Sequence, residues 1–217
     1  MPGTLAAQLT VVRAKLENRP AGLVAHVRRV LDEALELGAY YDIDPVRIEL
    51  ATWGHDLYRA GKSKDLLALA RERGIPVAHA EARLPMLLHG PVAAAILEQS
   101  SGVTDDEVLS AIRYHTSGAP QMPLLAKVIL LADKTEPQKR RRAPALQAIR
   151  ALARRDLDTA LLCWADWAWV AFQANGWETQ DAHWQARAAW VESHHREIGL
   201  VGRVSARAFT LASKKPV

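Results

Sequence analysis

The chain has a single cysteine, Cys163, among its 217 residues, so an internal disulfide is excluded. No apolar run is long enough to span a bilayer, and no segment combines charged, apolar and small-residue stretches as a secretory signal does. These absences set the expectation of a cytoplasmic protein without membrane contact. β-rich alternating runs are missing too, as are internal repeats and low-complexity linkers, which leaves no place for a sheet or for an evident two-domain split. Charge of one sign is in only slight excess: 28 Lys and Arg against 24 Asp and Glu give a net charge of +4. That balance suits an anionic small molecule without requiring nucleic acid. Basic and aromatic residues are not interleaved, so a strand-binding surface built on base stacking has no support either.

What the sequence does have is helical periodicity almost throughout. Leu23, Val27, Val30, Ala34 and Leu37 mark one helix, which Gly38 is expected to cap. Asp44 followed by Pro45 reads as an N-cap and first helical position, opening a helix that runs to about His55 and Asp56. Further helices are predicted over 63–73, 84–99, 104–114 and 122–134, with Thr104 and Glu107 as a capping box. Longer ones follow over 145–174, with a break near Arg155, and over 179–197. The expected architecture is all-α: one domain over residues 1–200, with a core at about 20–140, added carboxy-terminal helices over 145–197, and a basic, flexible tail over 201–217.

Polar residues that can ligate a metal lie on, or just past, the apolar faces of these helices. They are His26, the adjacent pair His55 and Asp56 in "WGHDLY", His89 in "LLHGP", His115 in "IRYHTSG" and Asp133 in "LLADKTEP". Any one of them has a plain structural explanation, since a lone histidine on an apolar face is ordinarily a hydrogen-bonded core residue. Burying a polar group without a partner costs roughly 2–7 kcal/mol, however, so six such residues must satisfy one another. A shared metal is the economical solution.

The order H…HD…H…H…D resembles the HD-domain metal-dependent phosphohydrolases. The phrases "LLHGPVAAAI", "AIRYHTSG" and "LADKTEP" are similar to the YqeK-type branch, symmetrical bis(5'-nucleosyl)-tetraphosphatases. The likeness is specific from about His26 to Pro137 and looser to about residue 180. It implies an HD-type helical bundle with two divalent metal ions, usually iron. It also implies hydrolysis of diadenosine tetraphosphate into two ADP by attack of a metal-bound hydroxide. Carried over by position, His26, His55, Asp56 and Asp133 hold one ion, and Asp56, His89 and His115 hold the other, with Asp56 bridging. A mixed set of imidazoles and carboxylates also accepts manganese, cobalt, nickel or zinc.

Around those ligands, Arg59 stands four residues after His55, where HD proteins often carry a phosphate-approaching lysine; an exposed helix-end arginine is the alternative. Thr116 and Gly118 in "HTSG" are candidate phosphate donors beside a ligand, and Glu136 a candidate to orient a histidine. Two departures bear on the substrate. Leu23 stands where the family commonly has an arginine, and after "EP" the chain reads "QKRRRAPAL" in place of an arginine and an aromatic-Pro-Gly segment. Lys139 and Arg140, from the run Lys139 to Arg142, are the candidate replacements; a solvated charged segment is the competing account. Other HD phosphohydrolases, acting on mononucleotides or cyclic nucleotides, share the ligand residues, and a non-catalytic nucleotide-binding protein is a further alternative. Opposing clefts for two bases would support the dinucleotide.

Six of the seven tryptophans lie beyond the metal residues, from Trp164 to Trp190. Packing of the last two helices on each other or in a homodimer explains them; base stacking is the sharper alternative. His183, His194 and His195 make a loose, unspecific histidine group there.

Overall fold

The computed structural model describes residues 3–177 and 181–197, with side chains described through residue 194. The tail expected over 201–217 and the side chain of His195 lie outside the described residues. Twelve helices follow one another among the described residues, and no strand occurs there: α1 (Leu5–Glu17), α2 (Ala21–Ala39), α3 (Pro45–His55), α4 (Ser63–Glu72), α5 (His79–Arg83), α6 (His89–Ser101), α7 (Asp106–Tyr114), α8 (Leu124–Thr135), α9 (Pro137–Arg142), α10 (Ala145–Ala153), α11 (Leu157–Asn175) and α12 (Asp181–Glu197). No helix among them is long and apolar enough to cross a membrane.

The most deeply buried helix, α8, is the axis. From Leu125 to Asp133 only Lys127 escapes burial, because α2, α7, α10 and α11 pack around it. Each fully buried Leu, Ile or Val contributes about 1.5–3 kcal/mol relative to exposure, so this axis is the main source of cohesion. Val12 and Leu16 of α1 join the same core across α3. A smaller cluster, Leu66, Ala70, Leu88, Val92 and Ile96, holds α4 over α6.

Several boundaries differ from the sequence expectation, each for a physical reason. Gly38 lies inside α2 and caps nothing; a Cβ there would collide with the Ile48 side chain, so the glycine serves close packing of α2 on α3. Asp42, with φ 53°, makes the left-handed turn that Gly38 was expected to make. Asp105, not Thr104, caps α7, its carboxylate accepting from the N–H groups of Glu107 at 3.1 Å and Val108 at 3.2 Å. The helix expected over 84–99 begins only at His89: Pro85 opens a 3₁₀ turn, Pro85–Leu88, before it. The break near Arg155 is present, with Asp156 capping α11. Helix α1 and the short helices α5 and α9 are not in the expected set. In α1 the buried positions are Gln8, Val12 and Leu16, a four-residue spacing whose first member is polar and hides the signal.

Candidate metal centre

Five helix segments bring the six candidate ligands together, four of them at or near helix ends. His26 comes from the second turn of α2. His55 is the last residue of α3 and Asp56 its cap, at φ −106°, ψ 15°. The chain therefore leaves the helix between them, which is why adjacent side chains can face one point. His89 opens α6, His115 follows α7, and Asp133 sits in the last turn of α8.

The protonation pattern follows from the anchors. Nδ1 of His55, His89 and His115 each face the carbonyl three residues back, of Thr52 at 2.6 Å, Met86 at 2.5 Å and Ile112 at 2.8 Å. A carbonyl can only accept, so each Nδ1 carries the proton and each Nε2 presents a lone pair. Those nitrogens converge on Asp56: His89 Nε2 lies 3.1 Å and His115 Nε2 3.5 Å from Oδ1, while His26 Nε2 lies 3.6 Å and His55 Nε2 3.7 Å from Oδ2. His26 Nε2 is also 3.2 Å from Asp133 Oδ1.

Two observations test whether this set fits a cation. Nε2 of His55 is buried without any hydrogen-bond partner, and Nε2 of His89 and His115 face each other at 2.9 Å. Acceptors aimed at one another and at carboxylates repel unless a positive charge stands among them. Two groups of ligand atoms, His26 with His55 and Asp56, and Asp56 with His89 and His115, each lie within 4.8 Å, and Asp56 belongs to both. The residues present fit divalent metal.

Electrostatics keep the set ready for ligation. Burial pushes the His115 imidazole down to about 3, with the neighbouring His89 and His55 adding to the effect and Asp56 opposing it. Burial likewise lowers His55. Burial alone would raise Asp56, but the His55, His115 and His89 imidazoles around it outweigh that penalty and hold the carboxyl well below the usual range. Asp133 is held low against the same penalty by the ammonium groups of Lys134 and Lys139, at 2.8 and 2.6 Å.

A cavity of about 680 Å³ opens over the centre, with Arg59, Thr116 and Lys139 in its wall. Arg59 is exposed at the rim, where its backbone N–H donates to the Asp56 carbonyl at 2.9 Å. The Thr116 hydroxyl donates to His115 Nε2 at 3.1 Å. Lys139 binds Asp133 through both Oδ1 and the main-chain carbonyl.

Two candidate substrate contacts are not brought there. Arg140 turns away to the buried Glu33, at 2.7 Å, which Arg150 also grips. Gly118, at φ +72°, packs under Trp190, whose ring stands 2.6 Å from where a Cβ would sit. Glu136 accepts from Arg29 at 2.8 Å and from the N–H of Gln138, with His26 Nδ1 at 3.9 Å. Arg29 was missed because its distance in sequence from Glu136 conceals the pairing. Gly90 was missed as well: a Cβ there would stand 2.9 Å from the Ile112 carbonyl and 3.1 Å from the His115 ring, so only glycine lets His89 and His115 adjoin. Two of the tryptophans join α11 to α12, and a third ties α12 to the segment before α8. Trp169 and Trp184 meet at 4.3 Å between centroids, and Trp190 Nε1 donates to the Ala119 carbonyl at 2.9 Å. His183 and His194 belong to neither ligand group.

A buried imidazole and carboxylate cluster on an all-helical frame, open to a basic-walled cavity, defines a divalent-metal hydrolytic centre. The HD domain family model matches residues 23–138. Similar curated proteins are symmetrical bis(5'-nucleosyl)-tetraphosphatases. That of Bacillus subtilis is 37% identical over 137 residues, covering 63% of this chain and 72% of its own. Those of Halalkalibacterium halodurans and Staphylococcus aureus are 34% and 36% identical, covering 63% and 65% of this chain and 72% and 71% of their own. Among solved structures, a predicted HD superfamily hydrolase involved in NAD metabolism from Clostridium acetobutylicum superposes with a TM-score of 0.78 at 26% identity, covering 85% of this chain and 97% of its own. The chain belongs to the HD domain family.

Proposed function

We propose that the protein hydrolyses diadenosine tetraphosphate symmetrically to two ADP, using two divalent ions, with iron as the resident metal. The observation that carries the proposal is the convergence of four imidazoles on Asp56, with the unpaired His55 Nε2 and the facing pair of His89 and His115 among them. The family membership and the three tetraphosphatase relatives supply the substrate class. His26, His55, Asp56 and Asp133 would hold one ion and Asp56, His89 and His115 the other. Bound there, divalent ions would acidify a water and offset the charge that builds on phosphate oxygens.

The protein's own groups do the rest. Arg59 at the rim presents a planar guanidinium to a phosphate oxygen, and Lys139 and Lys134 add positive charge beside Asp133. The Thr116 hydroxyl lies against His115 Nε2, and with that nitrogen engaged by an ion its proton would be free to point toward substrate. Glu136, fixed by Arg29, sets the charge around His26.

The experiment is a comparison of kcat/KM for diadenosine tetraphosphate, ATP, dGTP, AMP and NAD, with metal content measured on anaerobically purified protein. The dinucleoside tetraphosphate should lead the series at about two metals per chain. Turnover confined to a mononucleotide would replace the substrate assignment, and protein that takes up no metal would remove the enzymatic reading altogether.

A further inference from the structure

Beside the metal cavity lies a second, aromatic one of about 580 Å³. The two share Leu84, Leu87, Thr116 and Lys134 as a common wall, so the second adjoins the first. Trp164, Trp167 and Phe172 of α11 and Trp177 just beyond it form the aromatic side, and His183 of α12 is also in the lining. All five stand outside residues 23–138, the part matched by the HD domain model.

The surfaces grade from charged to apolar from the first cavity to the second. At the shared wall, Lys134 Nζ pairs with Asp133 at 2.8 Å and stands 5.9 Å from the Trp164 ring centroid, a cation between the ligand carboxylate and the aromatic wall. On the aromatic side, Phe172 and Trp177 are tilted at 56° with centroids 5.9 Å apart, and Trp177, like Leu84 of the shared wall, leaves more than half of its surface to solvent. Large rings left partly exposed in a concave site next to a cation match a ligand that is a flat ring at one end and an anion at the other. A purine nucleotide has that form.

We propose that this aromatic cavity holds one purine base of the dinucleotide, packed against the Phe172 and Trp177 rings, with Lys134 against the phosphate that leads to the metal centre. The inference rests on the proposed function for the dinucleotide and adds the residues that select it. It makes α11 and Trp177 a specificity element attached to the HD core. An inorganic polyphosphate, having no ring, cannot use it.

The test is calorimetric titration of the full-length, metal-loaded protein with ADP and with inorganic pyrophosphate. ADP should bind about tenfold tighter, which lies within the range of base–aromatic stacking. In Trp177→Ala and Phe172→Leu proteins the preference should fall about tenfold while pyrophosphate affinity, metal content and far-ultraviolet circular dichroism stay unchanged. Trp177 is exposed, so its removal leaves the fold intact. Unchanged ADP preference in both variants overturns the proposal, as does a wild-type protein that does not distinguish the two ligands. Parallel assays of diadenosine tetraphosphate separate the two readings. Variant-sensitive ADP binding without dinucleotide turnover keeps the base cavity and removes the substrate, whereas turnover with a KM untouched by both variants removes the base cavity alone.

Discussion

Replacing Gly90 with alanine tests the geometry of the centre without altering any ligand. The new Cβ would stand 2.9 Å from the Ile112 carbonyl oxygen, 3.1 Å from that of Arg113 and 3.1 Å from Cε1 of His115. Ordinary contact begins near 3.4 Å, so α6 and the end of α7 must separate by about 0.5 Å. Two of the three obstacles are backbone, which cannot rotate aside. Overpacking of this kind costs about 1–3 kcal/mol, and in a chain of this length each kcal/mol lowers Tm by about 2–4 °C. The same separation spreads the 2.9 Å pair of His89 and His115, and misplacing ligands by this much should weaken metal binding about 10- to 100-fold. Thermal unfolding and a cobalt titration read the two effects. Gly22→Ala in α2 is the control: nothing lies within 4 Å of its Cβ position, and Tm should hold or rise slightly. A Gly90→Ala protein with wild-type Tm and wild-type cobalt affinity would refute the argument that this glycine sets the spacing of the two histidines.

Asp56→Asn should keep helical circular dichroism while abolishing metal uptake and turnover, because both ligand groups share that carboxylate; an active, metal-loaded variant would contradict the bridging role. Arg140→Ala should cost about 1–3 kcal/mol by leaving Glu33 short of a partner, with KM unchanged, whereas Lys139→Ala should raise KM; the reverse pattern would mean that Arg140 reaches substrate. Metal-free protein should lose stability as pH falls below about 6.5. His55 and His115 have lowered folded values, so the unfolded chain takes up their protons first, and the deficit should grow until pH approaches the folded value of about 3 for His115. A Tm flat from pH 7 to the acid range would dissociate those histidines from the buried cluster.

The order of the six ligands was legible because imidazole and carboxylate on apolar helix faces are chemically costly, and only mutual satisfaction explains them. The helices were legible where apolar spacing was uninterrupted, as in α2, α3 and α8. What failed to show was whatever depends on a neighbour. Gly38 has the sequence look of a cap but is a gap for Ile48, and Gly118 has the look of a phosphate loop but is a gap for Trp190. Arg140 is as basic as Lys139, yet one reaches Glu33 and the other Asp133, because successive residues of α9 point in different directions. Arg29 and Glu136 are far apart along the chain and meet only in the fold. The aromatic cavity was equally hidden, since Trp164, Phe172 and Trp177 share a wall with Thr116 only after α11 has folded back over the HD core.

Product analysis by anion-exchange chromatography, after incubation of anaerobically purified, metal-loaded protein with diadenosine tetraphosphate, addresses the central claim most directly. Two ADP per dinucleotide, lost on metal removal, is the predicted result. ATP and AMP in equal amounts would show cleavage at an asymmetric position and contradict it.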